Sequence, residues 1–194
     1  MNIETTKIYF DNLAENWDDL CHHDAKKIDT IVSLAQLPEN SRILDIATGT
    51  GILIPRLLEA NPQEIVAIDL SSQMLAVARK KHPNPRVHFQ SEDFYCFEDD
   101  SFDFAVAYSA YPHFENKSLF CDRLSACLKP GGRFMIAHSE SRETINGRHS
   151  GQEVRKVSTG LRDAQSESQI FSSAFNMDIA VDTAAFYILS GTKK

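Results

Sequence analysis

Two features of this sequence have the residue types and spacing to do chemistry. The first is Ile43-Leu44-Asp45-Ile46-Ala47-Thr48-Gly49-Thr50-Gly51, with Asp69 following about twenty residues further on. Gly49 and Gly51 lack a Cβ, so a ligand can approach the backbone closely and the chain can take unusual φ/ψ values. A carboxylate such as Asp69, at the end of a second strand, accepts two hydrogen bonds from a ribose diol. The second feature is five imidazoles, His22, His23, His113, His138 and His149, in segments that one crevice would have to gather. Imidazole moves a proton near neutral pH. Several neutral imidazoles also suit zinc, iron or nickel. No H-x-H or H-x-x-x-H pair favours the metal, and which of the two roles applies stays open.

The elements that must position these groups alternate along the chain. Apolar runs at 42–47, 64–69, 86–90, 103–108 and 133–138 read as strands. Most are continuous rather than alternating, as strands covered on both faces require. Helical patterns lie between them. Asp24 caps one that buries Ala25, Ile28, Ile31, Val32 and Ala35. Residues 52–59 form another. Ser71 or Ser72 caps a third, which stops before Pro83, and a fourth carrying Leu119 to Leu128 ends at Pro130-Gly131-Gly132. Residues 139–168 are polar and read as a loop-and-helix insertion over the edge of the sheet. A helix closes over 170–175, and strands follow at 177–182 and 185–190. The order predicts a single α/β domain over 1–194, with a Rossmann-like doubly wound sheet, mostly parallel, and one antiparallel strand near the C-terminus. Residues 1–36 form a helical arm, 37–138 a cofactor-binding core and 169–194 a closing helix and strands. Tyr9, Phe10, Leu13 and Trp17 sit at helical spacing in the arm. They read either as a helix packed on the core or as a lid.

The glycine-bearing turn is compatible with two cofactor classes. A dinucleotide oxidoreductase wants a third glycine three residues after the second. Ile54 stands there. Asp45, just before the turn, suits a cationic ligand better than a pyrophosphate. The segments ILDIATGTG, VAIDLSSQML, SEDF before SFDFAVAYSAYPHF, and LKPGGRFMIAH, in this order and spacing, resemble the class I S-adenosylmethionine-dependent methyltransferases. The resemblance runs from about Leu37 to Ser139. Ala47 stands where many members have glycine. The resemblance implies S-adenosylmethionine as cofactor, with Asp45 and the turn of Ala47, Thr48, Gly49 and Gly51 facing its methionine part. Asp69 would hold the ribose hydroxyls, Leu70 and Met74 would flank the adenine, and Asp93 and Phe94 would meet its amino group and ring. Tyr108 and Ser109 would border the sulfonium and the acceptor. Met74 and Phe94 read equally well as core residues, and Asp93 as part of a solvated acidic loop.

Displacement at a sulfonium needs mainly alignment and exclusion of water. A general base matters only where the acceptor loses a proton. His113, His138, His23 and Arg142 are the residues expected to supply such help. The chain has 20 Lys and Arg against 27 Asp and Glu, a net charge of −7, which speaks against a nucleic-acid partner. No apolar run is long enough to span a membrane. The polar Met1-Asn2-Ile3-Glu4 start does not read as a signal peptide. Four scattered cysteines without a C-x-x-C pair read as reduced thiols in a cytoplasmic protein. The expected partner is a small-molecule acceptor, with a homodimer left open. Two other readings remain beside the methyltransferase: a cofactor-binding module or partner subunit that does not turn over, and an NAD-dependent oxidoreductase.

Overall fold

The structure is a computed structural model that describes residues 2–194; Met1, the first residue of the expected arm, lies outside them. The arm expected over 1–36 opens with α1 (Ile3–Leu13) and α2 (Trp17–Leu20), joined by a short 3₁₀ turn. Next come α3 (Ala25–Ala35), β1 (Arg42–Ile46), α4 (Ile54–Glu59), β2 (Glu64–Asp69), α5 (Ser72–Lys81), β3 (Val87–Ser91) and β4 (Phe102–Tyr108). The chain continues through a 3₁₀ turn at Tyr111–His113 to α6 (Lys117–Cys127), β5 (Leu128–His138) and α7 (Arg142–Arg148). It closes with α8 (Ala164–Phe171), β6 (Phe175–Asp182) and β7 (Tyr187–Lys193).

The strands form one seven-stranded sheet in the order β3-β2-β1-β4-β5-β7-β6. β1 to β5 pair in parallel. β7 runs antiparallel between β5 and β6, as a single reversed strand near the C-terminus. Successive residues of β1 point to opposite faces. Ile43 therefore packs with Ile28, Leu57 and Val106 on one face, and Leu44 with Phe120, Phe134 and Phe171 on the other. Burial on both faces explains why RILDI is apolar without alternation. The sequence leaves β1 outward through β2 to β3 and returns to β4 beside β1. The carboxyl ends of β1 and β4 thus flank the point where the strand order reverses, where open α/β sheets bind ligands.

Local capping fixes the helix starts. Asp24 Oδ1 accepts from the Lys26 and Lys27 amides at 2.9 and 3.2 Å, and Ser71 Oγ accepts from the Met74 amide at 3.1 Å. Several boundaries differ from the sequence expectation. α4 begins at Ile54 rather than Ile52, because Gly51 and its neighbours are spent on the turn and Pro55 opens the helix. α6 ends at Cys127, where Leu128 turns extended, so Pro130-Gly131-Gly132 lies inside an irregular start of β5. The closing helix occupies 164–171 rather than 170–175, set by Asp163, which accepts from the Ser166 amide at 2.8 Å. The polar segment after β5 carries α7, which reaches the edge strand β6 through Arg142 and Asp182 and the carboxyl ends of the strands through Ile145 and His149. Its return path is pinned by the Thr159 amide donating to the Pro112 carbonyl at 2.7 Å.

Candidate functional site

A cavity of about 450 Å³ opens at the carboxyl ends of the strands, under the arm. Its floor is the turn after β1. Ala47 and Gly49 both have positive φ, 54° and 57°, which reverses the chain between strand and helix. The Thr48 amide donates to the Ile68 carbonyl at 3.0 Å and the Gly49 amide to Asp69 Oδ2 at 2.8 Å. The Ser71 amide takes the other carboxylate oxygen at 2.8 Å. Two amides favour the charged form of Asp69, yet burial outweighs them and raises its pKa to about 6.

The expected cofactor residues divide. Ala47, Thr48, Gly49, Asp69, Leu70, Met74, Asp93, Phe94, Tyr108 and Ser109 are all on the cavity wall. Met74 and Phe94 belong at once to the core and to the cavity wall. Asp45 and Gly51 are not on the wall. Asp45 lies beneath the turn, accepts from Thr48 Oγ1 at 2.6 Å, and is pushed up to about pKa 7 by burial. It braces the turn from below instead of facing the ligand space. Gly51, at φ 83°, is needed for a different reason: a Cβ there would stand 2.7 Å from His82 Cδ2.

The histidines do converge. His22, His23, His113, His138 and His149 all line the cavity, but among the described residues no three His, Cys, Asp or Glu side chains are grouped to hold a metal ion. Tyr108 Oη lies 2.8 Å from His23 Nδ1 and 2.8 Å from Ser139 Oγ, which links the arm to the ends of β4 and β5. Desolvation keeps this phenol protonated, with its pKa raised to about 12. His113 Nδ1 donates to the Val157 carbonyl at 2.8 Å. Burial lowers the His113 pKa to about 4 and that of His138 to about 3, so both rings are neutral at physiological pH.

Arg142 is a correction. Its guanidinium is engaged by Asp182 at 2.7 Å and by Glu143 at 3.1 Å, away from the cavity, because it sits in the first turn of α7 facing β6. The cation on the wall is Arg148, whose Nη2 donates to Glu140 at 2.6 Å. Sequence reasoning passed over Arg148 and Ile145. Their signal was the helical spacing of Ile145, Arg148 and His149, which share one face.

The arm roofs the cavity with Phe10 and Trp17, whose rings meet edge to face at 5.7 Å. None of the described α1 residues is buried. Ala14, in the turn after α1, is buried, and polar contacts hold the arm beside it. Thr50 Oγ1 and Lys81 Nζ each donate to Asp18 at 2.6 Å, and Ser71 Oγ donates to Asp11 at 2.6 Å.

A doubly wound sheet with a left-handed turn after β1, an acidic residue ending β2 and a cavity between them defines a nucleoside-binding α/β protein. The methyltransferase domain family matches residues 44–136. The demethylmenaquinone methyltransferase of Chlorobaculum parvum is 33% identical over 132 residues, covering 63% of this chain and 55% of that protein. Phosphoethanolamine N-methyltransferase 2 of Caenorhabditis elegans is 30% identical over 122 residues, covering 60% and 26%. The chain spans about half the length of the curated relatives it matches first. In fold it is similar to a chain of the complex between the Haloferax volcanii Trm112 methyltransferase activator and a methyltransferase. There the TM-score is 0.77 at 19% identity, over 95% of this chain and 97% of that one. A SAM-dependent methyltransferase from Aquifex aeolicus gives a TM-score of 0.73 at 16% identity, over 95% and 98%. In sequence the chain is thus similar to methyltransferases over a little under half of its length, and in fold to S-adenosylmethionine-dependent methyltransferases.

The residues present fit S-adenosylmethionine. Gly49 lies against the arm, where a Cβ would come within 3.9 Å of Trp17 Nε1, so any side chain larger than hydrogen would narrow the space beside the turn. Asp69 sits on the wall where a ribose would need an acceptor.

Proposed function

We propose that this chain transfers a methyl group from S-adenosylmethionine to a small-molecule acceptor by direct displacement. The observation that carries the reading is the continuity of one cavity from the Gly49–Asp69 pair to the imidazoles beyond Tyr108. Bound S-adenosylmethionine supplies an electrophilic methyl group on a positively charged sulfur. The residues of this chain do the rest. Asp69 and the turn of Ala47, Thr48 and Gly49 hold the nucleoside and methionine ends, with Leu70, Met74, Asp93 and Phe94 around the base. Tyr108 and Ser109 mark the border between cofactor and acceptor. Phe10 and Trp17 exclude water from above, which strengthens every polar contact inside and aligns the reactants. His23, His113 and His138 orient the acceptor or take its proton. Arg142 has no part in this reading.

Relatives are named for a demethylmenaquinone and for phosphoethanolamine, both small acceptors. Four free thiols support action in a reducing compartment such as the cytoplasm. Isothermal calorimetry with S-adenosylmethionine, S-adenosylhomocysteine and NAD tests the proposal. The expected result is 1:1 binding of the first two and none of NAD. NAD binding without S-adenosylmethionine binding would overturn it, and cofactor binding without turnover on any acceptor would leave only a binding module.

A further inference from the structure

Three imidazoles meet on the cavity wall beyond Tyr108. The His113 and His149 rings lie 5.1 Å apart, centroid to centroid, and His138 joins them from the end of β5, 2% exposed. The tautomer of His113 is set by its neighbour. A carbonyl only accepts, so Nδ1 carries the hydrogen toward Val157 and Nε2 is left as a bare acceptor. His138 Nε2 and His149 Nδ1 are buried without any protein partner. Such an orphan costs roughly 1–3 kcal/mol. Two of them on one cavity wall mark a place where a ligand's polar group is to be met.

The character of that ligand follows from what surrounds the rings. The end of β2 and the loops after β3 and β4 bring Asp69, Glu92, Asp93 and Glu115 to the wall, whereas α7 brings Arg148, which is paired with Glu140. Phe10 stands edge-on to His113 at 4.9 Å, and Phe114 is on the same wall, so flat apolar faces flank the polar rings.

We infer that this end of the cavity takes a small aromatic hydroxyl compound, a phenol or hydroquinone, with its O–H on His113 Nε2 and, in a hydroquinone, its second hydroxyl met by His138 and His149. The inference rests on the methyl-transfer reading. The acceptor oxygen forms the new C–O bond as the methyl–sulfur bond breaks. The electron pair of the broken bond stays on sulfur, which ends as a neutral thioether. The oxygen's proton passes to His113 Nε2 and from there to water. A weak base suffices, because the oxygen gains positive charge as the bond forms and its proton becomes strongly acidic. Rings kept neutral by burial also avoid repelling a cationic sulfonium.

The test uses the full chain with S-adenosylmethionine and two kinds of probe, hydroquinone and phenol against phenethylamine. S-adenosylhomocysteine release and the mass of the product are read. The expected product is the methyl ether of hydroquinone, with no methylated amine. His113→Gln should lower kcat about 100-fold with KM little changed. His138→Gln should instead raise KM. Retained calorimetric binding of S-adenosylmethionine shows that each variant is folded, and a variant that loses it leaves the decision to the wild-type probe panel. Cofactor binding with no phenol turnover, turnover of the amine instead, or an unchanged kcat in folded His113→Gln would each overturn the inference and leave the family reading intact. No cofactor binding by the wild-type chain would bring down both.

Discussion

The Gly49 amide donates to the Asp69 carboxylate at 2.8 Å, so the turn that leaves β1 and the end of β2 act as one hydrogen-bonded unit. Asp69→Asn breaks that unit, because the new amide cannot accept from Gly49 and Ser71 with both of its ends. Loss of a charge-assisted bond of about 1.5–3 kcal/mol predicts a cofactor Kd raised roughly 10- to 100-fold. Calorimetry at neutral pH reads it directly, and an unchanged Kd would remove Asp69 from the binding role.

The pH dependence of stability should separate Asp45 from His138. Asp45 has a folded pKa of about 7 against an ordinary 3.8, so its contribution is present below the ordinary value and lost as pH rises through 7. His138 has a folded pKa of about 3 against an ordinary 6.5, so its contribution is present above 6.5 and lost as pH falls toward 3. Relative to wild type, Asp45→Asn should therefore gain stability as pH rises from 4 to 8. His138→Gln should gain as pH falls below 6.5. Urea midpoints across that range check both, and curves parallel to wild type would contradict the burial assigned to each group.

Asp18 ties the arm to the cofactor turn through Thr50 Oγ1. Asp18→Ala, which loses the contacts with both Thr50 and Lys81, should raise the KM for S-adenosylmethionine about 3- to 10-fold and lower the unfolding midpoint only slightly, because the ion pair is exposed. A chain beginning at Asp24 should still unfold cooperatively yet lose turnover. If it fails to fold, the arm is core and not roof.

Gly51→Ala places a Cβ in a left-handed conformation and against His82. The conformational strain alone predicts a loss of about 1–2 kcal/mol in urea unfolding. Adding His82→Ala should recover only the part due to the clash, which a double-mutant cycle isolates.

Arg142→Ala should leave turnover unchanged, because its guanidinium is held by Asp182 outside the cavity. Arg148→Ala, on the wall, should lower turnover. Steady-state kinetics on the two variants side by side decides between them, and the opposite ranking would return Arg142 to the site.

Much of this was legible before any coordinates, and the reason is local chemistry. Continuous apolar runs such as EIVAID announce doubly covered strands, while Asp24 and Ser71 announce helix starts through their own side chains. Asp69 was readable because its position depends only on where β2 ends. What depended on long-range packing was not. Asp45 and Gly51 carry the motif's spacing, yet which of its residues face the ligand is decided by the φ reversal at Ala47. The placement of residues 139–168 rests on contacts such as Val157 with His113, 44 positions apart, which no local pattern encodes.

Ala47 and Ser109, at the ends of β1 and β4, both hold non-glycine residues at positive φ, 54° and 57°. Each such joint carries about 1 kcal/mol of backbone strain. Glycine would relieve that strain but would give the unfolded chain more freedom, so net stability should barely move. What would change is stiffness. These two joints aim neighbouring strands at a shared opening, and a side chain at each narrows the excursions available to the backbone. A glycine-substituted version would keep its melting temperature and lose sharpness of aim.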